Sequence, residues 1–192
     1  MSLGIFRTIR GSYGDKYQKQ PDRIIRRLNE ELKARGLPEF HDPDRDERRL
    51  RRLPCGNAGA STFGALEKLA ADAGLSWTLG RLRGERMIAI PIDFAGTFSV
   101  DLGRVLFFIP AGMQDFASVR TIHDEVIAMA PLLAIPLANG VLSDVLIERI
   151  GDCNGVSDDE PPGLLENERG LWLDLYCATR YCLEDSTPLV IA

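Results

Sequence analysis

The chain has 192 residues, 45% of them apolar and 27% charged, which is the make-up of an ordinary globular protein and excludes a disordered or fibrous one. That length can bury one sizeable core without staples. Its net charge of −5 is unevenly spread: residues 1–60 hold 14 Lys/Arg against 9 Asp/Glu, and residues 61–192 hold 9 against 19. Such asymmetry fits a binding face for an acidic partner.

The longest apolar run, "IAMAPLLAIPLA", has 12 residues and contains Pro131 and Pro136. A membrane span needs about 20 residues, so no membrane association is expected. Arg7 interrupts the apolar start "LGIFRTI", so no secretory signal is read there. The four cysteines, Cys55, Cys153, Cys177 and Cys182, accordingly read as reduced thiols of a cytoplasmic protein.

In chain order, the first predicted element is the helix in "PDRIIRRLNEELKARG", where Ile24, Ile25, Leu28 and Leu32 recur at helical spacing and charges take the other face. Pro21 suits its entry and Gly36 its exit. After the break "GLPEFHDP" comes the nearly pure charge of "DRDERRLRRL". A second helix is expected in "STFGALEKLAADAG", capped by Ser61, with Phe63, Leu66, Leu69, Ala70 and Ala73 buried and Gly74 ending it.

The period then changes. "LSWTLG", "RMIAIPID", "GTFSVDLG" and "RVLFFIPA" predict a meander of short strands, and Pro91 places the second of them at an edge or a bulge. Past Gly112 the helical period returns in "ASVRTIHDEVIAMA", with Val119, Ile122, Val126, Ile127 and Ala130 on one face and Pro131 at its end. "LSDVLIERIGD" reads as a short helix capped by Ser143, and "GDCNGVSDDEPPG" as a loop. A last helix over 164–184 carries Leu171, Leu175, Ala178 and Cys182 in one arc. Cys177 lies about 140° away from Cys182, so the two thiols form neither a disulfide nor a metal clip. "PLVIA" is expected to pair within the sheet. The fold class is α+β: one domain over 1–192 with a central, mostly antiparallel sheet of about five strands flanked by helices, and a basic helical part over 1–55 at its periphery.

No motif fixes a reaction. "GNAGAS" lacks the register of a phosphate loop, and "HDPDRDE" lacks the glycine and closing glutamate of a calcium loop. With His41 and His123 the only histidines and no C-x-x-C spacing, no metal site and no cofactor is implied. "GDCNG" is similar over five residues to the Asp-Cys-Ser-Gly opening of papain-like peptidases that cut bacterial cell wall. Two prolines follow Cys153 and no histidine lies after it, so that match is rejected.

Two sets of residues remain. Cys55 precedes a helix whose positive end can lower a thiol pKa, and His123 follows it in the order of a cysteine hydrolase or transferase. Arg45, Arg48, Arg49 and Arg52 share one face if helical, and clustered guanidinium groups suit carboxylates or phosphates. Nucleic acid would be one target, but no aromatic residue is interleaved and the chain is acidic overall. An acidic protein partner or self-association suits the cluster better. The sequence therefore favours a non-catalytic protein-interaction domain, of the immunity or regulatory type, over the hydrolase built on Cys55 and His123. An accessory role on nucleic acid comes third.

Overall fold

The computed structural model describes residues 2–13, 19–43, 58–82, 86–106, 109–110, 112–153 and 165–192. Among these residues nine strands run in chain order as β1 (Ser2–Leu3), β2 (Ile5–Phe6), β3 (Ala58–Gly59), β4 (Met87–Ile90), β5 (Thr97–Asp101), β6 (Arg104–Leu106), β7 (Ile109–Pro110), β8 (Met113–Ser118) and β9 (Leu189–Ile191). Five helices are interleaved: α1 (Lys19–Ala34), α2 (Ala60–Asp72), α3 (Val119–Met129), α4 (Asp144–Cys153) and α5 (Glu166–Asp185). The main sheet has five strands in the order β2-β9-β4-β8-β5, with β1-β3 and β6-β7 as separate two-stranded pieces. Within the five, only β4 and β8 run parallel. The chain is thus an α+β domain around a mostly antiparallel sheet.

Strand alternation splits the core into two layers, because successive side chains leave a sheet on opposite faces. Ile88 and Ile90 of β4, Phe116 of β8 and Val190 of β9 face α1, where they meet Ile24, Leu28 and Leu32. Ala89, Ala117, Leu189 and Ile191 face the other way, against α2, α3 and α5. The alanines on that side leave room for close helices. Trp172 of α5 donates its indole N–H to Val126 O of α3 at 2.7 Å, and Tyr176 accepts Leu142 N at 2.9 Å.

Several expectations meet their structures. Gly36 and Gly74 both have φ near 69°, the left-handed conformation that closes a helix cheaply only at glycine. Each forms the paired terminal hydrogen bonds of such a stop: Leu37 N to Leu32 O and Gly36 N to Lys33 O after α1, with the same pattern at Leu75 and Gly74 after α2. Ser118 caps α3 by accepting Arg120 N, and Ser143 Oγ accepts Leu146 N at the start of α4.

Others are corrected. "LSWTLG" forms no strand but ends in a 3₁₀ turn at Leu79–Arg81, because Glu125 of α3 takes both Thr78 N and Thr78 Oγ1 at 2.7 Å. The meander is interrupted: β8, unforeseen in "MQDFAS", inserts between β4 and β5. β4 is therefore internal, and Pro91 lies just past its end, where no ladder bond is lost. "RVLFFIPA" contributes β6 and β7 outside the main sheet. α2 begins at Ala60, so Ser61 sits inside its first turn, and Ala73 is exposed. Helix α4 runs on through Cys153, into the stretch expected to be loop. Finally, α5 is buried all round over residues 170–179 rather than along one arc, so Cys177 is as buried as Cys182.

Among the described residues no helix is long and apolar enough to cross a membrane. Deleting Leu189–Ala192 would remove three side chains that are at most 2% exposed from the middle of the sheet. At about 2–5 kcal/mol for each large aliphatic group lost, this matches the whole stability of a typical domain. The expected result is loss of the cooperative thermal transition by circular dichroism; an unchanged melting temperature would contradict the role given to β9.

Candidate functional site

Helix α1 is fixed to the sheet by Pro21, Ile24, Leu28 and Leu32, all buried. Its opposite face is charged, and there the acids are already engaged. Asp22 takes Arg10 Nη2 at 3.0 Å, Glu30 takes Arg27 Nη1 at 2.8 Å, and Glu31 takes Arg35 Nε at 2.8 Å. Exposed Lys19, Arg26 and Lys33 form no ion pair among the described residues. These three recur every seven residues, which is only about 20° short of two full turns. They make a single stripe of cations along the helix that is unpaired among the described residues.

Beside the stripe runs a groove of about 670 Å³, lined by the half-buried Ile25 and Leu37 together with Arg10, Arg26, Lys33 and Glu39. A smaller depression of about 460 Å³ continues it past Lys19, Arg23 and Arg26. The groove wall after α1 is locked in place. Asn29 brackets the backbone of Phe40, donating Nδ2–H to its carbonyl at 3.0 Å and accepting its N–H at 2.9 Å. Two residues on, the fully covered carboxylate of Asp42 accepts Ile9 N at 2.8 Å and Arg10 N at 3.0 Å. Arg10 returns Nη1–H to Asp42 O at 3.1 Å. Burial pushes the Asp42 carboxyl above its ordinary range, opposed by those two backbone donors and the Arg10 charge.

The sequence-predicted residues Arg45, Arg48, Arg49 and Arg52 lie outside the described residues, as does Cys55. His123 sits half-buried on α3 against α5, with its ring 5.6 Å from that of Tyr176. Its Nδ1 is 2.9 Å from Thr179 Oγ1. That hydroxyl donates its one hydrogen to the helix carbonyls of Leu175 and Tyr176, at 2.8 and 3.1 Å. When the hydroxyl is committed to those carbonyls, the proton shared with His123 is the ring's own, on Nδ1; the opposite tautomer would take the hydroxyl's hydrogen instead. Burial lowers the His123 pKa, countered by Asp124 and reinforced by the charges of Arg120 and Arg180. Cys182 donates to Pro188 O at 3.3 Å, and burial pushes its thiol up to about 12, so it is protonated and unreactive at neutral pH.

No group of three His, Cys, Asp or Glu side chains placed to hold a metal ion occurs among the described residues. The sequence reading saw a charged outer face on α1 but not which cations lack partners. The seven-residue recurrence of Lys19, Arg26 and Lys33 was the available signal.

Replacing Asp42 by Ala orphans the buried N–H of Ile9 and the part-buried N–H of Arg10, at about 1–3 kcal/mol for a fully buried donor and less for the other. We expect a loss of about 2–4 kcal/mol in urea unfolding, and an unchanged midpoint would show that the clip between residues 9–10 and 42 carries no weight. For His123 the folded-state pKa lies below the ordinary 6.5. The stability it confers is therefore complete above about pH 6.5 and declines as the pH falls through that value toward the folded one. His123→Gln should flatten the fall in urea midpoint between pH 7.5 and pH 5.5, and an equal fall in both proteins would remove His123 as its source.

No family model matches the chain, and no curated protein or solved structure matches it.

Proposed function

We propose that this protein is a non-catalytic protein-interaction domain, of the immunity or regulatory type, which holds an acidic protein partner on the outer face of α1. The observation that carries the reading is the stripe of Lys19, Arg26 and Lys33, left unpaired among the described residues while every acid of the same helix is engaged. Exposed charges contribute little to the stability of a fold, so packing gives no reason for this arrangement. Complementary charge across an interface does set orientation, choice of partner and rate of encounter. The groove beside the stripe supplies apolar surface at Ile25 and Leu37 for an anchor. Arg45, Arg48, Arg49 and Arg52, which lie outside the described residues, enter this reading only as the sequence's own cluster of cations for the same acidic partner.

The test is a pair of charge reversals. Lys19, Arg26 and Lys33 changed together to Glu should abolish retention of the partner that the wild-type chain captures from its own cell extract at low salt. Changing Arg48, Arg49 and Arg52 to Glu should weaken it, and salt should weaken the wild-type contact as screening predicts. Retention of the same protein by the triple variant, with the same salt dependence, would end the proposal.

A further inference from the structure

Resting on that reading, we infer that the partner presents an acidic α-helix, laid along α1, with carboxylates seven residues apart and one aliphatic side chain between them. The spacing selects the form of the partner. Successive cations of the stripe stand about 10.5 Å apart along the axis, at a rise of 1.5 Å per residue. A partner helix repeats the same face every seven residues at the same interval, so three carboxylates meet Lys19, Arg26 and Lys33 in register. An extended strand shows one face every second residue, at about 6.6, 13 and 20 Å, so it can meet Lys19 and Lys33 but falls out of step with Arg26.

Charge alone does not hold such a complex, because exposed pairs contribute about 0.2–1 kcal/mol each and three long side chains must be ordered to form them. The anchor comes from the groove, where Ile25 and Leu37 are half-buried and accessible from the same side as Arg26 and Lys33. Burying one leucine there contributes more than any single pair. This is the arrangement in which a helix seats its apolar face in a groove and its polar flanks set the register. Of the acids lining the groove, Asp22 and Glu30 are already ion-paired; Glu39, whose carboxylate accepts Asn29 Nδ2–H at 3.3 Å on the groove wall, is the like charge the partner must pass that has no ion pair among the described residues.

The probe is a synthetic alanine-rich helix with Glu at three positions seven residues apart and a single Leu three residues after the first. The control has the same composition with its Glu residues five apart. Both are titrated with the full chain by fluorescence anisotropy at low salt. The in-register peptide should bind at least tenfold tighter than the control, lose at least tenfold against the Lys19→Glu, Arg26→Glu, Lys33→Glu protein, and tighten against Glu39→Gln. All four substituted side chains are exposed, and thermal unfolding checks that each variant keeps its fold; Arg26→Ala serves as a milder variant, with a smaller loss expected. Equal binding of both peptides, or of neither, overturns the helical partner. If the triple variant has nonetheless lost its protein partner, the interaction reading stands without it. Unchanged partner retention and unchanged peptide binding in the triple variant remove both.

Discussion

Residues Leu189–Ile191 pair with Ile5–Phe6 on one side and with Met87–Ala89 on the other, so β9 joins β2 to β4 in the middle of the chain. Both core layers depend on this contact. Val190 lies within the layer under α1, while Leu189 and Ile191 lie within the layer under α3 and α5. Like β4 and β8, this strand therefore places side chains in both layers. The helix that delivers them is itself a core element: α5 is buried on every side over residues 170–179 and is tied to α3 through Trp172 and to the loop before α4 through Tyr176. Contacts of such sequence separation form late and cost loop entropy before they stabilise anything. The placement of α1, and with it the charged stripe, follows from that closure.

The polar interior supports the same frame by local accounting of hydrogen bonds. Gln114 and Asp115 are buried on β8, yet Gln114 reaches Arg86 O at 2.7 Å and Asp115 accepts Ser99 Oγ from the neighbouring strand. Arg86 in turn stacks over Tyr13 at 3.7 Å and donates to the hydroxyl and carbonyl of Ser12. These bonds hold the turn between β2 and α1 from the sheet side, while Asp42 holds it from the groove side. A buried polar group left unpaired costs more than a made bond contributes, so such clips fix geometry more firmly than they add stability.

Legibility followed locality. The 3.6-residue recurrence of Ile24, Leu28 and Leu32, the glycines at 36 and 74, the cap at Ser118 and the apolar "PLVIA" were readable because each acts over one turn or one strand. "MQDFAS" did not read as a strand, since its buried Gln114 and Asp115 resemble surface residues until their partners at 86 and 99 are known. "LSWTLG" has strand composition, but Glu125, 47 residues away, bends it into a turn. On α5 the single arc of Leu171, Leu175, Ala178 and Cys182 is what helical period alone predicts, whereas the polar Asp174 outside it is also buried, at 1% exposure. The candidate site divides the same way: the cations of α1 are plain in the sequence, and their lack of partners depends on where Arg10, Arg27 and Arg35 reach.

What distinguishes the stripe from an ordinary solvated face is its support. At 100° per residue, Lys19, Arg26 and Lys33 centre about 155° round the axis from the buried set of Pro21, Ile24, Leu28 and Leu32, so the helix is anchored opposite the surface it offers. The groove wall over 37–42 is fixed independently, by Asn29 to Phe40 and by Asp42 to the turn at 9–10. The backbone beneath the three charges is therefore already ordered, and only side-chain tips lose freedom when a partner arrives. Pre-organisation of this kind lowers the entropic cost of association. It lets three individually weak pairs act as a ruler for spacing.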